Sequence, residues 1–226
     1  MQDVAHRVKC RSSDFFMGQL FIHHQQSSGT KHTLDVSNET FSTSETWSVL
    51  HPPDPQVLWH KMVWFSGRVL KHAFLTWVAA RDRLGTRDRL LSWGLHVPAV
   101  CVLCNGGDET RQHLFFDCPY SNEVWCYFTS RIHLRSPIDF EEVLRWMVLP
   151  SRNSNVATIM KLLFQASLYY IWRERNSRLH TDVARSPSYL IGEIKNLMRL
   201  KLDPMSRAQR VLVGGLSLLA TWFENF

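Results

Sequence analysis

From Ser42 onward the apolar positions of this chain recur every three or four residues, the spacing of helices with one buried face. Before that point "MGQLFIHHQQSSGTKHTLDV" alternates only weakly around a Gln/Ser/Gly turn, so residues 1–41 read as an arm with no sustained period. Thr43 or Ser44 is placed to cap a helix through "ETWSVL", and Pro52, Pro53 and Pro55 stop it. Next, Val69, Leu70, Phe74, Trp77 and Val78 fall on one side of a helix expected from about Val69 to Arg83 and ended by Gly85. Thr86 is placed to cap a short helix through "RDRLLSW", which Gly94 stops in the left-handed conformation. Pro119 fits the first turn of a helix whose inner face is Val124, Trp125, Phe128 and Ile132. Asp139 with Glu142 makes a capping pair for "FEEVLRWMVL", which Pro150 stops. A long helix over "NVATIMKLLFQASLYYIWRERNSRLH" is apolar at Ile159, Leu162, Leu163, Ala166, Tyr170 and Ile171 and turns basic in its last turns. "YLIGEIKNLMRLKL" and "RAQRVLVGGLSLLATWF" add two more amphipathic segments, and no internal repeat is visible.

Composition sharpens this picture. In 226 residues, 45% hydrophobic content and nine Trp can fill a core, which excludes a disordered tail. Lys and Arg exceed Asp and Glu by six, a balance that favours a polyanion or an acidic partner. No apolar stretch of the signal-peptide kind follows "MQDVAHRVKC". The longest apolar run, "VLVGGLSLLATWF", falls short of the roughly 20 residues that span a bilayer, and Gly214 and Gly215 interrupt it. It reads as a buried terminal helix, and the chain as intracellular, nuclear or cytoplasmic, without a membrane segment. Five cysteines, an odd count without a leader, fit a reducing compartment better than a disulfide framework.

Three of those cysteines and one histidine carry the chemistry. Cys101, Cys104, His113 and Cys118 have the spacing C-x2-C-x8-H-x4-C. A C-x2-C knuckle aims two thiolates at one point, and a third thiolate with one imidazole completes the four tetrahedral ligands that zinc takes. Asn105-Gly106-Gly107 supplies the turn between the pairs. Four protein ligands close the shell, so the ion is expected to be structural Zn2+. Cys126, two helical turns past Cys118, reads as a packed thiol outside the shell. A zinc deaminase also uses one His and a C-x-x-C, but it needs an H-x-E upstream. No such motif precedes Cys101, and no catalytic residue is assigned.

Two sets of cations are candidates for polyanion contact, the first of them beside this cluster. Lys71, Arg81, Arg83, Arg87 and Arg89 line the helical hairpin before it, where phosphate pairing competes with local ion pairs to Asp82 and Asp88. Arg173, Arg175 and Arg178 close the long helix, joined by Lys195, Arg199 and Lys201 on the next, and the helix dipole accounts for part of that bias. Trp64, Trp77, Trp93 and Trp125, spaced with Phe74, Phe115 and Phe116, read as core around the metal module. His72 and His96 have no partner identifiable from the sequence.

The stretch from "KMVWFSGRVLKHAFLTWVAARDRLGTRDRLLSWG" through "CVLC" and "ET" to "HLFFDCPYSNEVW" resembles the zinc-binding domain that follows the reverse transcriptase of plant non-LTR retrotransposons. Upstream "NETFSTSETWSVL" and downstream "YYIWRERNSRLH" extend the resemblance over residues 38–180. It implies a zinc-stabilised, non-catalytic domain that helps a reverse transcriptase hold RNA or DNA, with Cys101, Cys104, His113 and Cys118 as ligands. Nothing resembles a polymerase palm, an endonuclease or a ribonuclease H, so a detached piece of such an element is expected. The fold expected is mostly α, a small zinc knuckle between helices, with an arm at 1–41, the zinc-binding-like domain at 42–132 and a helical extension at 133–226. The rival reading is a protein-interaction module docking a reverse transcriptase or another partner, or an inert remnant.

Overall fold

The structure, a computed structural model, describes residues 50, 57, 59–181, 183–209 and 215–226. A compact unit from Asp54 to Phe226 contains all of these but Leu50. The arm at 1–41, the Pro-rich break and, Leu50 apart, the helix before it lie outside the described residues.

The elements in chain order are α1 (His60–Val63), α2 (Leu70–Ala80), α3 (Arg87–Ser92), a π-helical turn (His113–Asp117), α4 (Pro119–Arg131), α5 (Phe140–Trp146), α6 (Ser154–His180), α7 (Pro187–Ala208) and α8 (Leu218–Asn225). Among the described residues there is no strand, only one antiparallel bridge between Val100 and Asp108. The fold is therefore mostly α, with the knuckle between α3 and α4. Local chemistry explains most starts: Asp139 Oδ1 accepts from Glu142 N at α5, Asn153 caps α6, Ser186 with Pro187 opens α7, and Ser217 caps α8.

α6 is the axis, packed against α1, α2, α4, α7 and α8. Neighbours on so many sides bury it nearly all round, so Phe164, Gln165, Ser167 and Leu168 are as enclosed as the stripe read from the periodicity. Residues from both sides of position 132 fill one core, from Ala73 and Trp125 to Ile194 and Trp222. The boundary expected at 132 divides no separate hydrophobic units. The last apolar segment is split differently from expectation: α7 runs past Pro204 to Ala208, and α8 begins only after Ser217, with Leu218 and Trp222 buried. Residues 210–214 lie outside the described set.

α2 departs most from the pattern. Its buried residues are His72, Ala73, Thr76 and Ala79, whereas Leu70 and Phe74 are 69% and 46% exposed. Packing against the bulky face of α6 explains this phase: alanine and threonine let the two axes approach, and large residues at those positions would hold them apart. The helix also stops early. Asp82, not Gly85, takes the left-handed conformation (φ 51°), with Asp82 N bonded to Ala79 O and Arg83 N to Val78 O. α3 ends the same way at Gly94 (φ 79°), where Gly94 N bonds Leu91 O and Leu95 N bonds Leu90 O. A Cβ is tolerated poorly there, which suits glycine.

Candidate metal centre

The knuckle is built by its backbone. Cys101 N donates to Gly107 O at 2.7 Å and Glu109 N to Ala99 O at 2.8 Å, which folds residues 99–109 back on themselves. Asn105 N bonds Cys101 O, and within the Asn105-Gly106-Gly107 turn it is Asn105, with φ 56°, that takes the left-handed conformation. Gly107 has a different task. A Cβ there would stand 3.1 Å from Cε1 of His113, so a bare backbone lets the imidazole close over the loop.

His113 and Cys118 come from the π-helical turn. On an α-helix, residues five apart point about 140° from one another. Here Cys118 N bonds His113 O at 2.8 Å, an i→i+5 closure that brings the two side chains to one side. Thr110 Oγ1 accepts from His113 N and fixes the start of the turn. Gln112 ties it to α5 by accepting from Phe140 N and donating to Ile138 O.

The four ligand atoms all lie within 4.8 Å of one another. Cys101 Sγ and Cys118 Sγ are 4.0 Å apart, and Cys104 Sγ is 3.2 Å from His113 Nε2. Vertices of a tetrahedron with Zn–S bonds of about 2.3 Å are about 3.8 Å apart, so the set fits zinc in size, number and ligand softness. Among the protein's own atoms, the Cys101 thiol is pushed up because it donates to Cys118 and is buried, and the same hydrogen bond lowers Cys118. A divalent cation is taken by such a pair with loss of its protons. Gly106 N points at Cys104 Sγ at 3.4 Å, a backbone donor suited to a thiolate. Cys126 is exposed, its thiol donating to Asn122 Oδ1, and so is neither a ligand nor packed.

Around this cluster the structure places a strut that the sequence did not reveal. Glu109 is fully buried, and its carboxylate accepts from Arg87 N, Val102 N and the Arg175 guanidinium, the last at 2.7 Å. It therefore caps α3 from the zinc loop, in place of Thr86, whose buried hydroxyl makes no hydrogen bond. Arg178 reaches the knuckle as well: its guanidinium donates to Leu103 O, between the first two ligands, and to Arg185 O and Glu174. Burial alone would raise the Glu174 carboxyl, but bonds from Arg185 N and the Arg178 and Arg185 guanidiniums outweigh it and hold the group below the usual carboxylate value.

The cations read as phosphate contacts therefore divide. Arg175 is buried in the pair with Glu109, and Arg178 is engaged by the knuckle. Arg87 donates to Val100 O and braces the loop. Arg81 and Arg83 are exposed, Arg89 is shared between Asp82 and the Trp93 ring, Lys71 lies 5.1 Å from the Tyr169 ring centre, and Arg173 faces Glu193 at 3.6 Å. Phe115, Phe116 and Trp125 enter the core as expected, but Trp93 is 56% exposed. His72 is buried against Tyr169.

Residues 41–125 match the family described as zinc-binding in reverse transcriptase. All four ligands, Glu109 and the α2–α3 hairpin fall inside the matched segment, while α5 to α8 lie beyond it yet share its core. No curated protein and no solved structure matches the chain. Among the described residues, no helix is long and apolar enough to cross a membrane.

Proposed function

We propose that this chain is a non-catalytic, zinc-stabilised domain that binds RNA or DNA in the service of a reverse transcriptase, derived from a plant non-LTR retrotransposon. The observation that carries the reading is the junction between hairpin and knuckle. Glu109 and Arg87 fasten α3 to the zinc loop, so metal binding sets the pose of exposed Arg81 and Arg83 and of Arg89. Four protein ligands leave no position for substrate water, which supports a structural ion. Guanidiniums held on a rigid hairpin would neutralise phosphates and release counterions, giving salt-sensitive binding.

The test is fluorescence anisotropy of labelled single-stranded RNA and duplex DNA across a salt series, before and after zinc chelation. Binding that weakens linearly in log salt and collapses on chelation is expected. A folded, zinc-loaded protein that binds neither overturns the reading. A second reading, docking of a reverse transcriptase, draws on exposed Leu70, Leu91 and Leu95 on the same hairpin.

A further inference from the structure

The phase of α2 leaves Phe74 exposed and Trp77 only partly buried against the core. Phe74 and Trp77 lie 5.6 Å apart on the outer side of α2, and Trp93 stands out at the end of α3. Each indole carries a cation: Arg81 is 5.6 Å from the Trp77 centroid and Arg89 is 5.4 Å from that of Trp93. The two pairs meet at Asp82, next to Arg81 in sequence and 3.5 Å from Arg89. Contacts run from Phe74 through Trp77 to Arg81 and from Asp82 through Arg89 to Trp93, the two sets being joined where Arg81 precedes Asp82 in the chain. Arg89 with Arg111, 3.4 Å away, offsets the charge of Asp82, while Asp88, also exposed, adjoins Arg89 on α3.

Aromatic rings flanked by guanidiniums match one kind of partner. Every unpaired base offers a π-face to an aromatic ring, and its backbone offers a phosphate to the neighbouring cation. A duplex hides its base faces and would meet only the arginines. An apolar protein segment would cover the rings but strip water from Arg81 and Arg89 without supplying anions. We propose that the Phe74–Trp77–Arg81–Arg89–Trp93 strip binds single-stranded nucleic acid, bases stacking on Phe74, Trp77 and Trp93 and phosphates pairing with Arg81, Arg83 and Arg89. This rests on the nucleic-acid reading above and adds the strand form and the side chains.

The experiment uses the full zinc-loaded chain with labelled oligouridylate, oligodeoxythymidylate and a mixed-sequence duplex, for wild type, Trp93→Ala, Phe74→Ala and the Arg81→Gln/Arg83→Gln double variant. All the substituted side chains are exposed, and thermal melting with zinc content verifies the fold. Trp93→Ala is expected to weaken the single strands roughly tenfold or more while leaving the duplex unchanged, and to reduce the quenching of tryptophan emission by oligouridylate. The arginine variant is expected to flatten the salt dependence for both forms. Equal loss on duplex and single strand, or no loss on either, overturns the strip while the broader nucleic-acid reading stands. Absence of binding to all three probes in wild type overturns both and points the strip toward a protein.

Discussion

Gly107 and Glu109, two residues apart, serve the metal in opposite ways, one by having no side chain and one by burying a charge. A methyl at Gly107 meets His113 Cε1 at 3.1 Å, so Gly107→Ala is expected to displace the ring and lower zinc affinity about tenfold, as for other supporting groups of metal sites. Competition against a chromophoric chelator measures this directly, and an unchanged affinity would refute the close-approach argument. Glu109→Gln leaves the Arg175 guanidinium buried without its anion, which is expected to cost about 3 kcal/mol or more in urea unfolding at saturating zinc. The ligands were legible because cysteine spacing is local. Glu109 was not: its partners Arg87 and Arg175 are far from it in sequence, and one glutamate in "GGDET" carries no periodic signal.

Helix identities followed from spacing and caps, as the start of α4 at Pro119 and the Asp139 cap of α5 show. The inward face of α2 did not follow, because periodicity ranks residues by hydrophobicity whereas the contact with α6 selects small size. That contact buries His72, both of whose ring nitrogens lack hydrogen bonds. Burial first, then the charges of Lys71 and Arg173, lower its pKa to about 4 from 6.5. Between those values the unfolded chain takes up a proton that the fold refuses. Stability from this group is therefore complete above about pH 6.5 and declines as pH falls toward 4. As pH falls from about 6.5 toward 4 at saturating zinc, the melting temperature of wild type should drop relative to that of His72→Phe, whatever the offset at neutral pH, and parallel curves would refute the assignment. The basic end of α6 teaches the same lesson from the other side: Arg175 and Arg178 read as surface cations by composition but point inward, onto Glu109 and Leu103 O.

At the scale of the molecule, one core joins the matched residues to α6, α7 and α8, and the metal loop is fastened to that core by Arg175 and Arg178. Structural zinc contributes on the order of 10 kcal/mol, similar to the whole stability of a domain of this size. Chelation is expected to abolish helical circular dichroism in a single transition rather than release the knuckle alone. A residual, cooperatively melting helical signal after complete zinc removal would show that the C-terminal helices stand by themselves. The guanidinium strut also sets an order of events. All four ligands leave the ribosome before α6 does, so a nascent loop is free to load and exchange its ion until Arg175 and Arg178 arrive. Once they dock, α6 braces the loop through Glu109 and Leu103 O, and the residence time of the metal becomes a reading of how firmly that brace holds.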